Sequence, residues 1–369
     1  MKITCDKQKL NEAVLNTQRA VSAKSTVPAL EGILIRTGEN AALLCGYDLE
    51  LGITTTLEAT VGEAGSIVLS ARLLGEIVRR LPADTVTISS DEKQITSIVS
   101  GEAAYSLVGI SPEEYPELPA VGGETSLRIP SGVLRSMIRQ TLFAVAESDA
   151  RPVHTGTLFE LEPEKLRLVS VDGYRLAIRE EPVPCSLTAS FVVPGKTLGE
   201  VLKLLGDEDD EIELQIGRRH ILFGIGNYTV ISRLLEGEFL DYRAALTTES
   251  ATRIKVSTQD FINSVERVSL LITDRLKSPV RCVFGDGEIR VSCSTSVGRA
   301  NDRLSAEVTG DTVEMGFNNR FLLDALRNTE CDEVRVLLNG PLSPMRVLPP
   351  DGESFLFLVL PVRLKSSGE

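Results

Sequence analysis

A helical cassette recurs three times in this chain at one fixed spacing, and that repeat constrains the fold more than any single motif. Leu74-Gly75-Glu76-Ile77-Val78-Arg79 returns as Leu198-Gly199-Glu200-Val201-Leu202-Lys203 and again as Leu322-Leu323-Asp324-Ala325-Leu326-Arg327. Both steps are 124 residues. Apolar residues hold the first and fifth positions, an acid the third and a base the sixth. A unit this long is no solenoid repeat; each copy can bury its own core, so three copies of one domain fill the 369 residues.

Each copy opens with a second amphipathic stretch spaced for one helix face. Its apolar positions are Leu10, Val14, Thr17 and Val21, then Leu134, Ile138, Thr141 and Val145, then Phe261, Val265, Val268 and Ile272. The third set lies 127 residues from the second, which predicts a longer junction before the last copy. Short β-rich runs such as Gly32-Ile33-Leu34-Ile35, Leu166–Val171 and Arg281-Cys282-Val283-Phe284 follow, separated by turn signals such as Gly285-Asp286-Gly287 and Pro350-Asp351-Gly352. Each copy therefore reads as two helices packed on about eight antiparallel strands, an α+β class. Polar stretches at 122–126 and 247–251 set the domains at 1–122, 126–247 and 251–369.

Composition is that of an ordinary globular protein, 42% hydrophobic and 25% charged. No apolar run is long enough for a bilayer span, and the N-terminus lacks a signal-peptide core. Six scattered cysteines without a C-x-x-C pair read as reduced, packed thiols rather than a disulfide framework or zinc site. A cytoplasmic location follows.

Net charge is −13, which by itself argues against a nucleic-acid binder. Placement matters more than the sum. Arg79, Lys203 and Arg327 share one position of the repeat, with Arg80, Lys196, Arg320 and Arg139 on the same helices. Two readings stand: a basic stripe on one face, or solvated helix ends whose late bases suit the helix dipole.

Catalytic chemistry is nearly absent. Neither histidine, His154 or His220, has a nucleophile or acid at a triad-like spacing. Pro194-Gly195-Lys196-Thr197 resembles the end of a phosphate loop, but the glycine that motif needs at position 190 is Ser190, so Pro and Gly are read as opening a helix. The acidic run 207–211 lacks the glycine and spacing of a calcium loop and reads as a solvated turn. No enzyme, metal site or cofactor is expected.

Several strings are more specific: Val27-Pro28-Ala29-Leu30-Glu31-Gly32-Ile33, Gly46-Tyr47-Asp48-Leu49-Glu50, Glu114-Tyr115-Pro116-Glu117-Leu118-Pro119, Val171-Asp172-Gly173-Tyr174-Arg175-Leu176-Ala177, Glu236-Gly237-Glu238-Phe239-Leu240-Asp241-Tyr242-Arg243 and the closing Leu360-Pro361-Val362-Arg363-Leu364. In this order, and on a triple repeat, they resemble the bacterial DNA polymerase III β subunit family, the replicative sliding clamps. The resemblance runs from Met1 to Leu364.

That resemblance implies a non-catalytic processivity factor: three DNA-clamp domains per chain, closing head to tail as a six-domain ring in a homodimer around double-stranded DNA without sequence specificity. It places Tyr105 and Leu107 against Leu270 and Leu271 across the dimer interface; the bland alternative makes them core residues. It turns the repeated bases toward DNA, with Lys24, Arg79, Lys196, Lys203 and Arg327 as candidates and Arg139 and Arg151 behind them. It also implies a peptide pocket between domains two and three for the polymerase III catalytic subunit, clamp-loader subunits and other proteins carrying a clamp-binding motif. The matching positions are Val171, Gly173, Tyr174, Arg175, Leu176, Leu240 and Ala245, with Pro344, Met345, Leu358, Leu360, Pro361, Val362 and Arg363. Leucine, valine and methionine would form an apolar trough, and Arg175 and Arg363 would serve its rim. The chain departs from the commoner family pattern at His154, Val171, Leu240 and Ala244, and the tail 365–369 runs past the usual ending. A clamp-like peptide-binding scaffold or paralogue outside replication is the alternative function.

Overall fold

A computed structural model describes residues 1–122, 125–148, 151–185, 188–246, 250–273, 276 and 278–364. The tail 365–369 and most of the junction 247–251 lie outside the described residues.

Six α-helices occur among the described residues, two in each repeat: α1 (Lys7–Thr17), α2 (Ala71–Arg80), α3 (Ser131–Leu142), α4 (Gly195–Leu204), α5 (Thr258–Ser269) and α6 (Asn319–Arg327). The cassette is the body of α2, α4 and α6. Its first and fifth positions are buried in α2 and α6, and the first is buried in α4. Capping is local: the side chains of Asp6, Ser257 and Asn318 accept from Lys9, Asp260 and Arg320 amides. The first amides of α3 are capped by the acidic turn, Ser131 N donating to Asp210 O at 2.7 Å and Gly132 N to Glu208 O at 3.0 Å. The turn is solvent-exposed, as its composition predicted.

The other three helices bury the first three expected positions, from Leu10, Val14 and Thr17 to Phe261, Val265 and Val268. The fourth positions, Val21, Val145 and Ile272, lie past the helix ends and are half-buried. The cause is visible in the backbone. Amides of Val21, Val145 and Ile272 bond three residues back, to Gln18, Leu142 and Ser269 carbonyls, so each last turn tightens and carries the side chain off the helix face.

Strands number nine, eight and nine in the three repeats, among the described residues. All ladders are antiparallel, in sheets of five, eight, nine and four strands. The eight-stranded sheet joins the first two repeats where Tyr228–Arg233 pairs with Leu51–Glu58, and the nine-stranded sheet joins the last two where Arg175–Pro182 pairs with Phe355–Val359. The chain divides accordingly into two compact units, residues 1–134 with 196–234, and 135–195 with 235–369. The middle repeat is thus shared between them.

In the first unit α1 and α2 pack over Ile3, Ile33, Leu44, Leu69, Val86 and Ile98. In the second, α5 and α6 cover Phe284, Val291, Phe317, Val336 and Phe357. Fully burying one such side chain is worth about 1.5–3 kcal/mol. Gly46 allows α1 to end against its strand: a Cβ there would stand 2.0 Å from the Thr17 carbonyl oxygen. The described cysteines are unpaired, four of the six buried, and burial pushes the Cys5 thiol up to about 12.

Candidate nucleic-acid and peptide interfaces

The repeated bases are all exposed, and their environment follows from the cassette itself. An acid at the third position and a base at the sixth are one helical turn apart, so Arg79 bonds Glu76 at 2.9 Å and Lys203 bonds Glu200 at 2.8 Å. Arg80 also reaches Glu76. In α6 the pattern breaks: Arg327 turns to Glu266 of α5 at 2.5 Å, and Asp324 turns to Arg175. Lys196, at the start of α4, bonds Asp48 at 2.6 Å with its side chain 61% exposed. Lys24 and Arg139 have no side-chain ion pair among the described residues, and Arg151 is exposed. Arg79, Arg80, Lys196, Lys203 and Arg327 are thus solvated bases held loosely by neighbouring acids.

Tyr105 and Leu107 lie on Ala103–Val108, an edge strand of the five-stranded sheet in the first unit. Tyr105 is exposed, Leu107 half-buried and Val108 83% exposed. In the second unit Leu270 is 81% exposed just after α5, and Leu271 half-buried. Within a single chain Leu107 packs against the core of the first unit, while Tyr105 and Leu270 stand open to solvent. Gly298–Ser305 is likewise an edge strand, of the four-stranded sheet, and is preceded by the exposed Val297. Bare edges of this kind, apolar at Ala103–Val108 and mostly polar at Gly298–Ser305, leave backbone groups open to pairing with another chain.

The peptide candidates fall into two layers. Val171, Leu176 and Leu358 stand in cross-strand register, Val171 opposite Leu176 and Leu176 opposite Leu358. They are not an open trough: each is 4% exposed, in one cluster with Tyr242, Val153 and Val192, and Met345 is fully buried. The reason is the segment 235–246, whose Tyr242 plugs into that sheet face and roofs it. Tyr242 donates its hydroxyl to Glu160 at 2.5 Å, and Arg243 reaches the same carboxylate at 2.9 Å while stacking on the Tyr242 ring. Glu160, Arg167 and Glu180 form a cross-strand ladder beneath.

The upper layer is exposed: Tyr174, Leu240, Ala245, Leu360, Val362 and Arg363, with Pro344 and Pro361 half-buried. Asp172 shapes it. Its Oδ1 accepts from the Tyr174 and Arg175 amides at 2.9 and 3.0 Å, and Gly173 at φ +87° completes the turn, so Tyr174 points outward. The Leu360 amide donates to the Tyr174 carbonyl at 2.9 Å, tying the closing segment to this turn. Farther on, Val362 bridges Gly316. A cavity of about 610 Å³ lies here, lined by Leu360 to Leu364 and by Glu314, Met315, Gly316, Pro341 and Leu342.

Arg175 differs from its expected rim role. It is 8% exposed, held by Asp172 at 2.9 Å and Asp324 at 2.5 Å, with Phe321 at 4.6 Å and Phe143 at 5.6 Å from its guanidinium. Tyr174 stacks on the same Phe321 ring at 5.7 Å. Arg175 therefore stiffens the wall, while Arg363 remains at the surface. Phe321, Asp324, Gly316 and Leu342 escaped the sequence reading. No local signal announced them, since Asp324 and Arg327 keep the acid and base of the cassette and only their partners differ. His154 is buried edge-on to Phe239, 5.5 Å between centroids, and His220 opens a strand.

Residues 1–119, 128–241 and 243–363 match, in turn, the N-terminal, central and C-terminal domains of the DNA polymerase III beta subunit family. The chain is 33% identical to the beta sliding clamp of Bacillus subtilis over 376 aligned residues, covering 98% of this chain and 100% of that one. It is 32% identical to the beta sliding clamp of Staphylococcus aureus, covering 94% and 95%. Its fold superposes on the crystal structure of the B. subtilis DNA polymerase sliding clamp with a TM-score of 0.95, at 32% identity and 99% and 100% coverage. The sliding clamp of Pseudomonas aeruginosa bound to griselimycin gives 0.93, at 26% identity and 99% and 100% coverage.

Proposed function

The chain belongs to the DNA polymerase III β subunit family, and from that premise we propose that it is a DNA sliding clamp, a cytoplasmic ring that tethers a polymerase to duplex DNA without catalysing a reaction itself. The observation that carries this reading is that all three family domains match in order along a chain that its relatives cover end to end. The three domains are taken as 1–122, 126–247 and 251–369. Two chains close the ring, the exposed edge Ala103–Val108 with Tyr105 and Leu107 meeting Leu270 and Leu271 of a second copy. Lys24, Arg79, Arg139, Arg151, Lys196, Lys203 and Arg327 face the DNA. Their partial neutralisation suits a ring that must slide: weak, sequence-independent phosphate contacts hold position without arresting it.

Partner peptides, from the polymerase, the loader and other clamp-binding proteins, dock on Tyr174, Leu240, Leu360, Val362 and Arg363, above the buried floor of Val171, Leu176, Met345 and Leu358. Replacing both Leu360 and Val362 by alanine is expected to weaken a fluorescent clamp-motif peptide by about tenfold, two exposed aliphatic contacts costing about 0.7 kcal/mol each. Light scattering of the same variant should still give twice the 40.0 kDa chain mass. An unchanged peptide affinity would move the pocket elsewhere. A 40.0 kDa particle for the unaltered protein would remove the ring.

A further inference from the structure

The four-stranded sheet of the second unit carries opposite chemistry on its two faces. Helix α5 covers one, where Cys282, Phe284, Ile289, Val291 and Leu304 are buried with Phe261 and Val265. The alternate residues point away from the helix. They are Arg281 and Val283 on Val280–Gly285, Arg290 and Ser292 on Glu288–Thr295, and Arg299, Asn301 and Arg303 on Gly298–Ser305. Arg290 stands directly opposite Arg303, and Ser292 opposite both Arg281 and Asn301. A shallow cavity of about 500 Å³ runs across all of these residues except Arg299.

Like charges set directly opposite destabilise a sheet unless something answers them. Within the chain the answer is incomplete. Arg281 is paired with Glu314, and Arg290 reaches Asp286 and Glu288 only at 3.5 Å. The Arg299 and Arg303 guanidinium groups make no hydrogen bond or ion pair among the described residues. Two of the four arginines, Arg299 and Arg303, therefore offer free bidentate donors beside two that are already paired, on a protein of net charge −13.

We propose that this face is a docking site for a short, extended, Asp/Glu-rich segment of a partner protein. Acids four positions apart on an extended segment are about 13 Å apart, the spacing of Arg299 and Arg303 along their strand. Val283 gives the groove an apolar floor, and Ser292 and Asn301 offer hydrogen bonds to the segment's backbone. Duplex DNA fits poorly. Its phosphate charge is continuous, at one per about 1.7 Å, whereas the unpaired Arg299 and Arg303 stand at discrete positions along one strand. The face also points away from α5 and its neighbouring helix. Edge pairing of Gly298–Ser305 in the proposed dimer would lengthen the sheet and leave this face open.

The test is fluorescence anisotropy at low salt with a fluorescein-labelled peptide of alternating glutamate and serine, on the full-length protein. The Arg290→Gln/Arg303→Gln variant should weaken it about tenfold or more, each lost charge-assisted pair being a substantial share of a weak complex. Arg218→Gln/Arg219→Gln, an equal charge change on a hairpin of the other unit, should leave it within about twofold. Thermal melting of the first variant should be unchanged or raised, since a like-charge pair is removed. Equal losses in both variants, or equal binding of a glutamine-for-glutamate peptide, would overturn the site. So would a short linear duplex that loses affinity in the first variant while the peptide does not, which would make the face a nucleic-acid surface.

Discussion

Gly316 is where the closing segment depends on a single residue. A Cβ there would stand 2.7 Å from both the Val362 carbonyl oxygen and Leu364 Cδ2. Gly316→Ala should therefore push residues 362–364 off their bridge and weaken a clamp-motif peptide several-fold, with stability lowered by about 1–3 kcal/mol of overpacking; a peptide titration on the folded variant decides it. Asp324→Ala would leave Arg175 with Asp172 alone and should cost about 2 kcal/mol in chemical denaturation. Glu160 sets a pH response. Burial pushes its carboxyl up, but hydrogen bonds from Tyr242, Arg167 and Arg243 outweigh this and hold it below the usual 4.5. A lowered native value means the contribution is complete above the unfolded value and is lost as pH falls through the native one. Thermal melts from roughly pH 6 to pH 3 should show a steeper acid limb for the unaltered protein than for Glu160→Gln. The sequence exposed Val171, Leu176 and Leu358 as pocket candidates because their strings are specific. It hid their burial because the roof over them is a distant segment, anchored by Tyr242 through a ladder no local pattern announces.

At the scale of elements, the cassette was legible because one sequence period reports both burial and charge. Leu74, Leu198 and Leu322 are all fully buried. The same spacing that made the repeat visible also made the local Glu76–Arg79 and Glu200–Lys203 pairs. What the period missed is where it fails, in α6, because Asp324 is drawn to a buried guanidinium contributed by another repeat. On the proposed function, neutralising Arg79 and Lys203 to glutamine should weaken binding to duplex uniformly across sequences. The slope of log affinity against log salt should fall by about one to two, one counterion per lost contact. An unchanged slope would take these helices off the DNA.

For the whole molecule, two shared sheets join three repeats and leave the five- and four-stranded sheets with bare edges, at Ala103–Val108 and Gly298–Ser305. A chain built of one repeated domain, with an unsatisfied edge in its first repeat and another in its third, suits closure by a second copy. The repeat foretold the number of domains. It did not foretell that the middle one would be divided between two units, because that depends on which strands pair across the repeat boundary. The central claim is topological, and one measurement addresses it: retention of the loaded protein on nicked circular DNA, before and after the circle is cut once. Retention on the circle through a high-salt wash, with release on linearisation, is the predicted result. Equal retention on both forms, or equal loss of both to salt, would contradict a ring around DNA.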